Sequence, residues 1–514
     1  MTMRKAEQQD HHANDQEPPS KVRRLSHGAT WSLINTLVTR VAGIAVMAVV
    51  VRIVSPHDFG VFTVAALVYT IVSSFGELGL SACILRRDVD VSLAAPTVTL
   101  LSMASGVILS TTMAAFAEPL AAALGAPEAD SAIRILSICV FLSSLTTVSY
   151  ALLARDFRQG RLFAATAIAF VPSNALLVVL AINGDGALAF AWSRVAAQVI
   201  TGAYVIWAAR PWYSPRWNKL QARVVLGFGL PLAGANLLNY LLLNADFAFI
   251  GNLLGPALLG IYTLAFSVAS WSTAALAGTI NGVAMPALSA LRAEPDKLRE
   301  TLSRWVRLVA LVAFPVGALT AVLSSEIIAV LYGPQWTQAG PVLAILAVYG
   351  AIFAVSLLLS NLLVGVGRTG RVFMIQAVWL GTLLVAMWLG VQWMGIEGAA
   401  LAHVVVIVVI VVPMYLVTLR PVLRSAPRLL LKAVAAPILA ALFGGAVAYA
   451  AMFSLDGSFL RLAVGGTAGL FAYLVVALPM IREHLPSRIT AKLAPVLGGY
   501  DSVLRFLARK PVRT

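Results

Sequence analysis

Ser55–Ala65 reads SPHDFGVFTVA, and Gly255–Ala265 reads GPALLGIYTLA. When the two are laid in register, Pro56 meets Pro256, Gly60 meets Gly260, Phe62 meets Tyr262, Thr63 meets Thr263 and Ala65 meets Ala265. Further along, Arg158-Gln159-Gly160-Arg161 with Phe163 meets Arg368-Thr369-Gly370-Arg371 with Phe373. Arg210-Pro211 meets Arg420-Pro421 at the same spacing as that second pair. Each match alone is weak. Their order and near-constant offset read as an internal duplication, which governs everything else about the fold.

Composition says what is duplicated. Of 514 residues 60% are apolar and 11% are charged, with a mean hydropathy of +0.88. A soluble domain is about 45–50% apolar and about 25% charged. Too few polar side chains exist to coat a water-soluble globule, so soluble enzymes, disulfide scaffolds and disordered proteins are excluded. Cys83 and Cys139 lie in or beside apolar stretches and provide neither a metal spacing nor a disulfide framework. The chain reads as an all-α, polytopic membrane protein.

A helix needs roughly 20 apolar residues to cross the hydrocarbon core. With that ruler about fourteen spans emerge: 30–51, 60–82, 92–116, 132–153, 162–182, 186–208, 224–250, 258–284, 305–324, 340–366, 372–391, 397–418, 430–452 and 459–481. The segment 1–28 is polar and reads as a disordered tail, with no removable signal peptide.

The net charge of +15 would suit nucleic acid, but in a membrane protein it has a plainer cause, since Lys and Arg gather on the cytoplasmic side. With the N-terminus inside, cytoplasmic segments receive all 37 Lys and Arg except Arg40, Arg52, Arg134, Arg194 and Arg461. The opposite loops carry Glu118, Glu128, Asp130, Asp185, Glu326, Glu397 and Asp456. An error in span count would scramble this alternation. It places both termini inside and no partner nucleic acid is expected.

Spans one to six repeat as spans seven to twelve. Six is even, so the halves share orientation, as in parallel-repeat transporters. The expected organisation is a cytoplasmic tail over 1–28, an N-lobe over 29–210 and a C-lobe over 211–420. Two extra spans follow over 421–481, then a basic cytoplasmic tail over 482–514. Two such six-helix lobes would enclose a central cavity.

Arg52-Ile53-Val54-Ser55-Pro56-His57-Asp58-Phe59-Gly60 with Val61-Phe62, then Phe75-Gly76-Glu77-Leu78-Gly79-Leu80, resembles the N-terminal signature of bacterial polysaccharide exporters. So does the stretch from Gly251-Asn252-Leu253-Leu254 through Gly260-Ile261-Tyr262. These exporters are the O-antigen and exopolysaccharide flippases of the multidrug/oligosaccharidyl-lipid/polysaccharide superfamily. The resemblance implies two six-helix lobes, a cavity lined mainly by spans one, two, seven and eight, and alternating access. It implies an oligosaccharide linked to undecaprenyl pyrophosphate as substrate class. It names no sugar and carries over no single substrate contact.

Charges inside spans need a reason, because each costs about 2.5–3.5 kcal/mol on the insertion scale. Arg40 lies near the centre of span one. Ser32, Asn35, Thr36, Thr39, Arg40 and Gly43 share one face about 140° wide. That face is expected to look into the cavity, with Arg40 gripping pyrophosphate or acidic sugars bidentately; the alternative is a structural arginine capped by carbonyls or an acid. In span seven, Asn236, Asn239 and Asp246 fall within about 80°. Asp246 either binds a coupling proton or sodium ion or pairs with Arg40 or Arg194. Arg194, in span six beside Ser193 and Gln198, reads better as structural. His403 reads as a buried hydrogen-bonding residue, and Pro172, Pro231, Pro315 and Pro413 as kinks.

No P-loop, nucleophile triad or metal spacing is visible, so no cofactor and no enzyme activity are expected. The best reading is a flippase of lipid-linked oligosaccharide in the bacterial inner membrane, in contact with membrane lipids and with a polysaccharide polymerase as a possible partner. The runner-up is a cation-coupled multidrug antiporter of the same superfamily. A polymerase or ligase would need a sizeable outer loop that the chain lacks, and a non-transporting assembly subunit fits Arg40 less well.

Overall fold

The computed structural model describes residues 42–76, 80–85, 89–210, 212–280, 294–420 and 426–482. Every regular element among them is helical. They form two compact units, 1–263 and 264–514.

The first unit contains α1 (Ala42–Ile53), α2 (Pro56–Gly76), α3 (Leu80–Leu85), α4 (Val91–Ala115), α5 (Ala117–Ala123), α6 (Asp130–Arg155), α7 (Gln159–Ile182), α8 (Ala187–Ala208) and α9 (Lys219–Leu254). Helix α10 (Pro256–Thr279) starts in this unit and continues into the second. The second unit contains α11 (Pro295–Val322), α12 (Ser324–Tyr332), α13 (Ala339–Gly365) and α14 (Thr369–Val406). A π-turn at Ile407–Val411 leads into α15 (Val412–Leu419), followed by α16 (Ala426–Met452) and α17 (Ser458–Arg482).

Among the described residues nine helical runs are long and apolar enough to cross a membrane, with Ala42–Ile53 and Pro256–Trp271 as shorter apolar helices. The longest run, Thr369–Leu419, is two crossings in one, because Gly395 takes non-helical angles (φ 58°, ψ −134°). The chain is therefore a multi-pass membrane protein. Helices overlap each expected span from the second onward. Fourteen remains the count from the sequence, since most of span one lies outside the described residues. Short helices α3, α5 and α12 are additions that a ruler of about 20 residues passes over.

The caps show why helices start where they do. Ser55 Oγ accepts from the Asp58 N–H at 3.1 Å and donates to Asp58 Oδ2 at 2.7 Å, a reciprocal cap on α2. Asp90 accepts from the Ser92 N–H and Oγ at the start of α4, and these bonds hold its carboxyl below the usual carboxylate range. Asn218 accepts from the N–H groups of Leu220 and Gln221 at the start of α9.

The duplication is visible in the turns. Arg158 N–H donates to Leu153 O at 2.9 Å, and Arg368 N–H donates to Leu363 O at 2.8 Å, the same helix-terminating bond at equivalent places in the two copies. The left-handed residue of that turn is Phe157 (φ 54°) in the first copy and Gly367 (φ 80°) in the second. The arginines of the repeated motif have structural roles. Arg161 donates to Ala208 O at 2.7 Å, and Arg368 donates to Thr418 O at 3.1 Å, again carbonyls at equivalent places in the repeat. These side chains complete helix ends whose last carbonyls have no intrahelical donor.

Each unit has its own core. In the first, Leu80, Cys83, Ile84, Ala95, Val98, Val148, Ala151 and Val225 pack together, and Arg155 pins the neighbouring chain by donating to Ile84 O and Val89 O. In the second, Leu311, Ala440, Ala441, Tyr473 and Ala477 join α11, α16 and α17. The outside of the bundle stays apolar: Val171, Phe471 and Leu439 are all exposed, as a lipid-facing surface requires.

Candidate functional site

Of the residues expected to contact substrate, Arg40, Asn35 and Thr39 lie outside the described residues. Asn236 and Asn239 lie on α9, with side chains outside the description. Glu77 is likewise outside it. Asp246 and Arg194, expected as an ion-coupling or charge pair, lie within the described residues.

Asp246 is buried on the last third of α9. Its Oδ2 accepts from the Tyr262 hydroxyl on α10 at 3.1 Å, and Tyr262 is itself fully buried. Asp246 Oδ1 accepts from the Phe247 N–H at 3.0 Å, and Phe247 meets the Tyr262 ring edge-on. A buried carboxylate needs hydrogen bonds to its charged form. Tyr262 provides one of them. In the sequence Tyr262 appears only as a mark of the repeat, opposite Phe62; its hydroxyl is one of the differences between the two copies.

Arg194 is exposed on α8, and its guanidinium lies 4.7 Å from the centre of the Tyr69 ring on α2. Such a contact is worth about 0.5–1 kcal/mol when exposed and about 2 when desolvated. Neighbouring Ser193 is buried and donates across to Ser173 O on α7 at 2.8 Å. Span six thus presents its charge toward α2, one of the spans the resemblance assigns to the cavity. His403 is buried beside the Tyr349 and Phe266 rings, a structural setting.

The second unit holds a feature that sequence reasoning missed. A cavity of about 1040 Å³ runs between α11, α13, the π-turn with α15, and α16. Its walls are almost wholly aliphatic, with Val348, Ile352, Val412, Ile438 and Leu442 typical, and Tyr449 as the one residue carrying a hydroxyl. Gly317, Ala318, Gly445 and Ala446 keep two of its walls shallow. Such a lining binds nothing polar. It fits a flexible hydrocarbon chain, and its only sequence signal is the cluster of small residues on α11 and α16.

A protein-family model described as a polysaccharide biosynthesis protein matches residues 49–341. The chain is 24% identical over 403 residues to the lipopolysaccharide biosynthesis protein WzxC of Escherichia coli (strain K12), covering 78% of this chain and 82% of that protein. It is 26% identical over 364 residues to the succinoglycan biosynthesis transport protein ExoT of Rhizobium meliloti (strain 1021), covering 69% and 72%. Among solved structures, the lipid II flippase MurJ in an inward closed conformation superposes with a TM-score of 0.71 at 13% identity, over 88% of this chain and 99% of that one. At that identity the likeness is one of fold.

Proposed function

This chain belongs to the polysaccharide biosynthesis protein family, and we propose that it moves an oligosaccharide linked to undecaprenyl pyrophosphate across the bacterial inner membrane by alternating access. The observation that carries the reading is the aliphatic cavity of about 1040 Å³. A glycan cannot dissolve in it, whereas the hydrocarbon tail of a lipid carrier can, because it exchanges one apolar surrounding for another. WzxC and ExoT, named for lipopolysaccharide biosynthesis and succinoglycan transport, and MurJ, named as a lipid II flippase, support the same substrate class.

In this reading the N-lobe spans 29–210 and the C-lobe 211–420, both termini are cytoplasmic, and the protein is a transporter with no reaction of its own. Arg40 replaces part of the hydration of the pyrophosphate, with Asn35, Thr39, Asn236 and Asn239 lining the same polar route. Asp246 takes the proton or sodium ion that couples transport, held in place by Tyr262, while Arg194, stacked on the Tyr69 ring, holds α8 against α2. A polysaccharide polymerase receives the product.

The test is complementation of polymer export in a strain lacking its own exporter, at matched membrane abundance. Arg40→Ala should abolish export and leave lipid-linked oligosaccharide in the inner leaflet, while Arg40→Lys should keep part of it, because charge survives without the planar fork. Drug efflux by the parental protein, with no effect on polymer export, would replace this reading by the multidrug antiporter.

A further inference from the structure

We propose that the first unit carries a binding site for an anionic phospholipid of the phosphatidylglycerol type, in a groove that the segment after α8 closes at the cytoplasmic end; the side of the membrane rests on the topology proposed above. The groove holds about 430 Å³ between α4, α6 and the last turn of α8. Trp212-Tyr213-Ser214-Pro215 forms its remaining wall. That segment is held down at both ends. Trp212 Nε1 donates to Ile206 O at 2.8 Å, and the Arg216 N–H donates to Pro96 O on α4 at 3.1 Å. The depth is apolar, with Met103, Leu145, Val148 and Ile206 in the lining. From Arg155, the last residue of α6, back to Leu145 is about 15 Å at 1.5 Å per residue, roughly half of the hydrocarbon core.

Three hydroxyls in the lining, those of Ser149, Tyr213 and Ser214, have no hydrogen-bond partner among the described residues. A Ser or Thr in a membrane helix ordinarily satisfies itself on the preceding turn. On α6, Ser137, Ser143, Ser144, Thr146 and Thr147 all do so, each donating to a carbonyl three or four residues back. Ser149 on the same helix does not. At the spacing that aligns Arg158 with Arg368, Leu145, Ser149 and Ile206 correspond to Val355, Leu359 and Leu416. Those three residues line the aliphatic cavity of the second unit. The duplicated groove thus has a hydroxyl at Ser149 in the first copy where the second has only hydrocarbon at Leu359.

Charge selects the ligand. Arg210, Arg216, Lys219 and Arg223 lie around the closing segment and on the first turns of α9. All four are exposed, and none has an ion-pair partner among the described residues. The acids at the cap positions of α4 and α6 are engaged, Asp90 by Ser92 and Asp156 by Arg158. Trp212 and Trp217 are exposed beside the cations, as aromatic side chains at a membrane–water interface are. Cations at the mouth, free hydroxyl donors in the lining and an apolar floor match a phosphate, the ester carbonyls of a glycerol and the start of an acyl chain. Basic pockets between helices on the cytoplasmic side hold anionic headgroups in this way. A zwitterionic headgroup would add its own cation to the four already present. The groove takes the glycerol and the first part of one chain, and the rest of the lipid stays in the bilayer.

The experiment uses the full chain in detergent micelles with a phosphatidylglycerol whose acyl chain carries a diazirine near the ester. Irradiation should attach the lipid within 144–152 and 212–215, read by peptide mass spectrometry. Unlabelled phosphatidylglycerol should compete several-fold better than phosphatidylcholine. Arg216→Gln, Lys219→Gln and Arg223→Gln together should lower attachment roughly tenfold in a protein of parental melting behaviour. Arg299→Gln, which neutralises an exposed cation of the second unit, should leave attachment unchanged. Ser149→Leu takes the second copy's residue and should also lower attachment, by removing the donor and filling the groove. If Ser149→Leu fails to fold, the triple charge variant decides alone. Equal competition by phosphatidylcholine, attachment outside these two segments, or full attachment to the charge variant overturns the proposal. Stronger competition by undecaprenyl pyrophosphate than by phosphatidylglycerol overturns it too, making the groove a site for the carrier. Attachment needs no transport, so a wrong substrate class would show in export assays and leave this result standing.

Discussion

The Tyr473 hydroxyl on α17 donates to the carbonyl oxygen of Leu311 on α11 at 2.6 Å, and Leu311 is the residue four places before Pro315. Proline has no N–H, so Pro315 leaves that carbonyl without its helical donor. In a bilayer no water replaces it. Tyr473, buried among Leu311, Ala440, Ala441 and Ala477, repairs the gap and ties α17 to α11. Removing one partner of a buried hydrogen bond costs about 1–3 kcal/mol. Tyr473→Phe should therefore lower the melting temperature in detergent. Pro315→Ala restores a donor at the right place, so the double variant should lose less than the sum of the single changes. Additivity of the two would show that the hydroxyl and the proline are unrelated.

Phe157 holds a left-handed backbone at φ 54° where the second copy has Gly367 at φ 80°. That conformation costs a residue with a Cβ about 1–2 kcal/mol. The Phe157 ring is 72% exposed, so little packing is lost with it. Phe157→Gly should stabilise the protein by about 0.5–1 kcal/mol after the entropy glycine gives up, and Gly367→Ala should destabilise it by about 1 kcal/mol or more. Thermal unfolding of the two variants reads both signs; a destabilised Phe157→Gly would mean the ring outweighs the strain.

What was legible in the sequence follows from what is local. Runs of apolar residues mark crossing helices because the bilayer imposes a length. The repeat survives in short motifs because each helix start and turn has its own backbone demands, as at Pro56 and Gly60 or Arg158 and Arg368. Pro315 is visible as a helix defect, but Tyr473 lies on the last described helix, far along the chain, and only packing joins them. Gly60 and Gly260 stand out as equivalent positions, yet equivalence does not say that Gly60 lies against the Pro256 carbonyl. The aliphatic cavity is hidden for a different reason: Val348 or Leu442 facing a lipid-sized hollow has the same composition as a residue facing the bilayer. Asp246 stands out because charge in a span is costly, while its partner Tyr262 appears only as a mark of the repeat.

Asp246 and Tyr262 separate two roles. If the carboxylate takes the coupling ion, Asp246→Asn should reduce ion-dependent transport at near-parental protein level, and Tyr262→Phe should alter the dependence of export on pH or sodium while leaving the fold intact. If Asp246 only balances an arginine, the neutral variant should instead lose roughly 3–5 kcal/mol of stability by leaving a buried charge uncompensated. Export measured across pH and sodium gradients decides between them, and a parental profile for both variants removes the coupling role.

Gly444 and Gly445 are neighbours on α16 with opposite surroundings. A Cβ on Gly444 would stand 2.9 Å from Gly469 O and 3.0 Å from the Tyr473 Cβ, inside the seam with α17. A Cβ on Gly445 would meet Val322 at 3.5 Å and Ala318 at 3.9 Å, ordinary contacts on the wall of the aliphatic cavity. Gly444→Ala should therefore cost stability, in the range of about 1–3 kcal/mol for overpacking, and affect export only through abundance. Gly445→Ala should be silent, because one methyl barely narrows a hollow of about 1040 Å³. Gly445→Trp should fill part of the hollow and cut polymer export at unchanged abundance, if a carrier tail must lie there. The glycine-to-alanine pair controls for backbone effects, so the tryptophan variant reads occupancy of the cavity. Normal export by Gly445→Trp protein would mean that the lipid tail crosses without using this cavity.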